Sequence, residues 1–294
     1  MTKDNGQIPG RSTERLKIAK ATAVFILCAM SFLLCFSCSQ TKYTAEYYDV
    51  FDTYTVVVSY GKPVPPELHE EMLRLHNLFD IYNGEIDLSD AEVQWLLAKS
   101  DELKAVSGGT FDITFGALKV WHSYREDGVK VPAIAELREA KPTIDLGAIA
   151  KGYAVGKVGE LAESLDLIGT ISIGGSVWTS ENMPSGKTNW TLAIQNPDGG
   201  IYQTIEVPPG MCASTSGDYE RYYEVDGTRY HHIIDPRTLY PSRQRNGDGK
   251  LVRSVTILCR DSLTADFLST AEFVQRDEDL LTIYDAEAIW IYES

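Results

Sequence analysis

Alternating apolar and polar residues recur along the second half of the chain, and the apolar positions are rich in Val, Ile and Thr. This pattern is typical of half-buried strands. A similar run occurs once in the first half, at 53–59. The predicted strands cover 53–59, 171–173, 190–195, 204–207, 211–213, 252–259 and 288–292.

Helical spacing of apolar residues appears between these strands. Leu68, Met72 and Leu75 fall on one helical face within 65–82. Ser89 or Asp90 can cap a second helix, which Gly108-Gly109 would end. Strands and helices in this mixture predict an α+β fold, with one large domain at 50–294, a mostly antiparallel mixed sheet and flanking helices. Further helices are predicted at 133–140, 148–165 and 263–275.

The first 37 residues resemble a targeting segment. A basic leader precedes an apolar run at 21–36, which is short for a membrane span and suits the core of a signal peptide. We therefore predict a signal peptide at 1–37 and a polar tether at 38–49.

Ser37 followed by Cys38 resembles a bacterial lipobox, although Cys35 stands where Leu is usual. We expect lipid on Cys38, which would hold the protein at the extracytoplasmic face of a bacterial cell membrane. A retained N-terminal anchor is the alternative.

Charge and cysteine content restrict the partners. The chain has a net charge of −15, and its leader is basic, so the remainder is more acidic still. This balance argues against nucleic acid and against direct binding to an anionic membrane, which leaves the lipid as the only membrane contact. It favours a divalent cation as mediator for an anionic ligand. Cys212 and Cys259 lie in apolar runs, which favours two buried free thiols over a disulfide.

The segment 214–241 is dense in hydroxyls, acids and histidines. Asp226-Gly227 predicts a hairpin turn between strands at 219–224 and 229–233. Such a hairpin brings Glu220 near His232, and a carboxylate beside an imidazole can handle protons. A surface hairpin with solvated charges is the alternative.

Two further motifs offer ligands for phosphate and metal. Asp266 and Thr270 are four residues apart on a predicted helix, so their oxygens share a face and suit a hard cation such as Mg²⁺. A solvated helix face is the alternative. Asp145 to Gly152 reads as a strand end that turns into a helix start, where phosphates bind, with Lys151 within reach. A tight corner with an exposed lysine is the alternative there.

Three segments of the chain carry a family resemblance. They are TIDLGAIAKGYAVG at 143–156, TSGDYERYYEVDGTRYHHIIDPRT at 215–238 and SVTILCRDSLTADFLSTAEFV at 254–274. SIGGS at 172–176 lies between the first two, and FDTYTVVV, LFDIYN and GGTFDITFG match more loosely in the first half. In these segments and in their order, the chain resembles the ApbE family of FAD:protein FMN transferases.

The resemblance implies a role for each matching residue. Asp266, Thr270 and the backbone carbonyl of Ala148 would bind Mg²⁺. His232 would act as the general base or orient the acceptor hydroxyl. The residues expected to contact FAD are Tyr82, Thr110, Phe111, Asp112, Asp145, Lys151, Glu220 and Ile233.

The implied reaction is transfer of FMN from FAD to a Thr or Ser hydroxyl of a partner redox protein, with release of AMP. Two alternatives remain: an FAD pyrophosphatase, and a surface lipoprotein that only binds flavin or another substrate. Leu239 stands where relatives have Gly, so we expect the turn there to differ. The chain also has fewer residues than relatives of the family at 83–89 and 131–143.

Overall fold

A seven-stranded sheet organises the computed structural model, which describes residues 40–79, 86–127 and 130–294. Each neighbouring pair of its strands is antiparallel. The predicted α+β class is therefore confirmed. The strands follow the order β1 (Lys42–Val50), β2 (Thr53–Tyr60), β3 (Ile168–Ile173), β4 (Ser176–Thr179), β7 (Cys212–Gly217), β10 (Val252–Cys259) and β11 (Glu287–Tyr292).

Two hairpins lie apart from this sheet. The first pairs β5 (Trp190–Gln195) with β6 (Ile201–Val207). The second pairs β8 (Tyr222–Val225) with β9 (Thr228–His231) across Asp226-Gly227. Asp226 and Gly227 have φ of 50° and 72°, as a two-residue hairpin turn requires. The predicted turn is confirmed, but the first strand begins at Tyr222 instead of Tyr219.

The described part of the chain contains seven α-helices. Asp90 caps the second of them by accepting the backbone N–H groups of Glu92 and Val93, as predicted. Within the described ranges, none of the helices has the length and apolar character needed to cross a membrane. The helices are α1 (Pro66–Phe79), α2 (Ala91–Val106), α3 (Ala117–Asp127), α4 (Ile134–Glu139), α5 (Ala150–Ser164), α6 (Ser262–Val274) and α7 (Glu278–Ile283).

Helix α6 is the central helix of the core. Twelve of its thirteen residues are buried, so its polar side chains need partners inside the protein. It packs on β7, β10 and α5. Gly152 of α5 allows a close approach, because an added Cβ there would lie 2.4 Å from the Cβ of Asp266. This contact places the polar residues of α6 beside the first turn of α5.

The predicted tether at 38–49 is wrong over most of its length. Lys42–Val50 forms an edge strand paired with β2, from Lys42 opposite Tyr60 to Val50 opposite Thr53. Its residues alternate between exposed and half-buried, with Tyr43 and Tyr47 on the more buried face. The segment was not predicted as a strand because its composition is polar, although its more buried residues recur at every second position. The predicted signal peptide at 1–37, Cys38 and Tyr82 lie outside the described residues.

The sequence pattern did not predict helix α3. Ala117, Val120, Trp121 and Tyr124 have helical spacing and belong to a second hydrophobic cluster. The indole N–H of Trp121 donates to the carbonyl of Leu239 at 2.7 Å. Leu239 has φ of 64°, so a leucine adopts the left-handed backbone that glycine favours.

Candidate active site

One cleft collects most of the predicted site residues. They come from the loop before α3, the corner before α5, the segments flanking the β8–β9 hairpin and helix α6. Residues far apart in sequence are therefore brought to one place by the sheet and by α6. The predicted residues that line the cleft are Thr110, Asp112, Asp145, Ala148, Lys151, Glu220, His232, Ile233, Asp266 and Thr270.

Asp266 is held by three hydrogen bonds. Its Oδ2 accepts the backbone N–H of Gly152 at 2.8 Å. Its Oδ1 accepts the hydroxyls of Ser214 at 2.8 Å and Ser176 at 3.3 Å. The residue is 4% exposed, so we correct the solvated-face alternative: this carboxylate is a buried junction between α6, α5 and two strands.

Thr270 extends this polar group by one turn of α6. The hydroxyl of Ser216 lies 2.9 Å from that of Ser269 and 3.4 Å from that of Thr270. Ser214 and Ser216, on β7, thus lie over Asp266 and Thr270 respectively. The strand and the helix form a bed of oxygen atoms at the base of the cleft.

This oxygen bed fits Mg²⁺ better than a softer metal. Asp266 offers a carboxylate, Thr270 a hydroxyl and Ala148 a backbone carbonyl, and all three residues line the cleft. In the described part of the chain, no group of three or more His, Cys, Asp or Glu residues gathers as a metal site. A single carboxylate leaves coordination positions for water and for phosphate oxygens, as Mg²⁺ prefers.

The corner before α5 is shaped by Asp145. Its carboxylate accepts the N–H of Gly147 at 2.8 Å, and a single 3₁₀ turn, Leu146–Ala148, precedes the helix. The ammonium of Lys151 donates to the carbonyl of Gly147 at 2.9 Å. The lysine charge is therefore folded over the corner, beside the cleft, where a phosphate can meet it.

The loop before α3 contributes only part of what was predicted. Asp112 forms an ion pair with Lys104 at 2.6 Å and accepts the hydroxyl of Thr114 at 2.7 Å. Phe111 is 1% exposed and its ring packs edge-on against Phe267. Its side chain therefore belongs to the core, and the predicted contact of Phe111 with FAD could involve only its backbone. Thr110, beside it, lines the cleft.

The two adjacent histidines have different environments. His231 is buried, and its Nδ1 accepts the N–H of Ile233 at 3.2 Å. Its Nε2 must therefore carry the proton that is donated to the carbonyl of Ser242, 2.9 Å away. Burial lowers the pKa of His231 to about 4. Both nitrogens are committed to the backbone, so His231 is a structural residue.

His232 is partly buried in the cleft, and its Nδ1 has no hydrogen-bond partner among the described residues. Burial, followed by the charges of His231 and Arg221, lowers the pKa of His232 well below its ordinary value. A neutral imidazole can accept a proton. Glu220 is exposed and lines the same cleft. The backbone N–H of His232 donates to the backbone carbonyl of Arg221, the residue after Glu220, at 3.0 Å.

An aromatic wall and two arginines were missed by the sequence reasoning. Trp121 stacks on Tyr230 with ring centroids 5.7 Å apart, and Tyr230 stacks on Tyr223 at 5.6 Å. Arg125 and Arg221 line the cleft beside this wall. The helical spacing of apolar residues in α3 and the alternation of residues in the β8–β9 hairpin are the sequence patterns that could have indicated these aromatic residues. Flat apolar rings and cations suit a ligand that combines a planar ring with phosphates.

Comparison with known proteins gives one family. The model of the ApbE family matches residues 53–290. The FAD:protein FMN transferase of Haemophilus influenzae is 30% identical over 241 residues, which cover 71% of this chain and 67% of that protein. That of Treponema pallidum is 36% identical over 157 residues, which cover 50% of this chain and only 41% of that protein.

A solved structure agrees over a larger part of the chain. The crystal structure of the ApbE protein from Thermotoga maritima superposes with a TM-score of 0.73 at 28% sequence identity. The match covers 86% of this chain and 94% of that one. The family match at 53–290 includes the residues that line the cleft, the central helix and most of the large sheet.

Proposed function

This chain belongs to the ApbE family, and on that premise we propose that it transfers FMN from FAD to a protein hydroxyl, with Mg²⁺ as cofactor. The acceptor would be a Thr or Ser side chain of a partner redox protein, and AMP would leave. The relatives named FAD:protein FMN transferase support the reaction class. The cleft of this chain supports the assignment of individual residues.

The observation that carries the proposal is the convergence of three kinds of group in one cleft. Asp266 and Thr270 present oxygen ligands, and Lys151 presents a cation. His232 also lines the cleft, and its buried Nδ1 has no hydrogen-bond partner among the described residues. A protein that only binds flavin needs neither a metal bed nor a base. Together these groups suit transfer at a phosphorus atom.

Phosphate recognition falls to the corner before α5. The N-terminus of a helix attracts anions, and Lys151, the second residue of α5, adds a full positive charge there. Arg221 lines the cleft nearby. In a chain of net charge −15, these local cations offset the repulsion that a dinucleotide would meet.

Asp266, Thr270 and the carbonyl of Ala148 would hold Mg²⁺. Bound there, the ion would neutralise charge that develops on the phosphate oxygens. The serines of β7 and β4 fix the carboxylate through two hydrogen bonds, so Asp266 does not need to reorganise during the reaction.

His232 would take the proton of the acceptor hydroxyl. Its imidazole is neutral at physiological pH because its pKa is lowered. As the acceptor oxygen bonds to the phosphorus of the FMN half, the bond from that phosphorus to the bridging oxygen breaks. The bridging oxygen leaves with AMP, and the proton passes to His232.

The test is incubation of the protein with FAD, Mg²⁺ and a candidate acceptor, followed by mass spectrometry of acceptor and nucleotide. We expect FMN on a Thr or Ser of the acceptor and an equal amount of AMP. Free FMN with an unmodified acceptor would instead identify a pyrophosphatase. The His232→Ala variant is the matched control, because it should bind FAD and transfer FMN about 10²–10⁴-fold more slowly.

We also propose that Cys38 carries lipid and anchors the protein outside the cytoplasm. The basic leader, the short apolar run and Ser37 before Cys38 support this. The test is Cys38→Ser in a bacterial host. Unchanged processing and membrane association in that variant would contradict the lipid anchor and favour a retained N-terminal segment.

A further inference from the structure

Cys212 and Cys259 lie directly opposite each other on two neighbouring strands of the large sheet. Cys212 begins β7, Cys259 ends β10, and the antiparallel register pairs the two residues. Opposed residues of such a pair have Cα atoms about 4.5–5.5 Å apart, with their side chains on one face of the sheet. A disulfide needs a Cα separation of about 4.4–6.8 Å. The backbone therefore already meets this requirement.

We propose that Cys212 and Cys259 are a site of oxidative modification, and that they form a cross-strand disulfide when the chain folds in the presence of a disulfide oxidant. They are the free cysteines of the described ranges. The first protein thiolate attacks the oxidant and forms a mixed disulfide. The second displaces the remaining oxidant thiol. Two protein thiols thus lose two electrons and two protons, and the oxidant becomes two thiols.

Burial determines when this bond can form. Cys212 is 3% exposed and Cys259 is 5% exposed in the folded chain. Burial raises the pKa of Cys212 to about 12 and also raises that of Cys259. Because the thiolate is the reacting species, the folded protein reacts slowly. The bond therefore forms while β7 and β10 pair, and the finished core then protects it from reductants.

The position of the pair connects it to the metal bed. Ser214 lies two residues after Cys212 and donates to Asp266 at 2.8 Å. Asp261 lies two residues after Cys259 and caps α6 by accepting the N–H of Thr264 at 2.7 Å. A covalent bond between the strands fixes the spacing of these two supports. The disulfide therefore strengthens the part of the sheet on which Asp266 rests.

The experiment uses the full-length chain, unfolded in urea with a reductant. It is refolded with either mixed oxidised and reduced glutathione or reductant alone, alkylated with iodoacetamide and digested with trypsin. We expect a disulfide-linked pair of the peptides 188–221 and 254–260 from the glutathione sample. We also expect a higher urea midpoint for this sample, because the bond restricts the unfolded chain.

Three variants serve as controls. Cys212→Ala and Cys259→Ala should each lose the linked peptides and the redox dependence of the urea midpoint. The double variant Cys212→Ala/Ala213→Cys moves the thiol to the opposite face of the sheet, so oxidation should not stabilise it. The proposal is overturned if both cysteines are alkylated after oxidative refolding, if either pairs with a leader cysteine, or if the linked chain is no more stable than the reduced one.

Discussion

Substitution of Asp266 separates its structural role from its proposed role as a ligand of Mg²⁺. The carboxylate accepts Gly152 N–H, Ser214 and Ser176, and it is almost fully buried. Asp266→Ala leaves the N–H of Gly152 without an acceptor. The two serine hydroxyls are 3.1 Å apart and can still bond each other. With one buried donor unsatisfied and charge-assisted bonds lost, we expect the free energy of unfolding to fall by about 3 kcal/mol.

Asp266→Asn should behave differently. The amide oxygen can accept from Gly152 while the amide nitrogen donates to a serine, so we expect stability within about 1 kcal/mol of the unmodified protein. The negative charge is nevertheless gone, and a neutral amide is a weak ligand for Mg²⁺. Asp266→Asn should therefore remain folded but bind FAD with the same affinity in the presence and in the absence of Mg²⁺.

Urea unfolding and titration calorimetry measure these two effects. Calorimetry with FAD is carried out with Mg²⁺ and with a chelator, for the unmodified protein and for Asp266→Asn. Equal FAD affinity in both conditions for the unmodified protein would refute the metal assignment, as would a retained Mg²⁺ effect in Asp266→Asn. If Asp266→Ala unfolds at the same urea concentration as the unmodified protein, the three hydrogen bonds do not have the energetic role given to them.

Further substitutions test the site and the core. His232→Ala should lower turnover by about 10²–10⁴-fold with little change in FAD affinity, which rates of FMN transfer would measure. His231→Ala should mainly lower the free energy of unfolding, by about 2–4 kcal/mol, which urea midpoints would measure. Glu272 is fully buried, and burial raises its pKa to about 7. The contribution of protonated Glu272 to the free energy of unfolding is therefore complete below pH 4.5 and is lost as the pH rises through 7. Glu272→Gln should therefore be more stable than the unmodified protein at pH 8, by up to about 3 kcal/mol, and the gain should vanish near pH 4; equal midpoints at pH 8 would contradict this. Leu239→Gly should be more stable than Leu239→Ala by about 1 kcal/mol, because alanine keeps the unfavourable left-handed backbone while both lose the same packing; thermal unfolding measures the difference.

The local sequence pattern predicted those parts of the site whose residues lie close together in the chain. The helix carrying Asp266 and Thr270 and the turn at Asp226-Gly227 follow from spacing and from turn-forming residues. Residue types could not show how deeply each group is buried. Phe111 was expected at the ligand and lies in the core, because a helix far along the chain supplies Phe267 against its ring.

Long-range packing determined what the sequence could not show. Strand β1 is polar and was interpreted as a tether, yet pairing with β2 makes it an edge strand. Helix α3 had readable helical spacing, but its importance comes from Trp121, which meets residues more than one hundred positions away. The opposition of Cys212 and Cys259 depends on a strand register that no local pattern specifies.

Transfer of FMN to protein is the central claim, and one measurement tests it most directly. Purified protein is incubated with FAD, Mg²⁺ and a purified candidate redox acceptor, and both products are followed by mass spectrometry. The account predicts FMN bonded through phosphate to a Thr or Ser of the acceptor and AMP in equal amount. With His232→Ala, both products should form about 10²–10⁴-fold more slowly. Free FMN and AMP with the acceptor unmodified, or equal transfer by the His232→Ala variant, would contradict it.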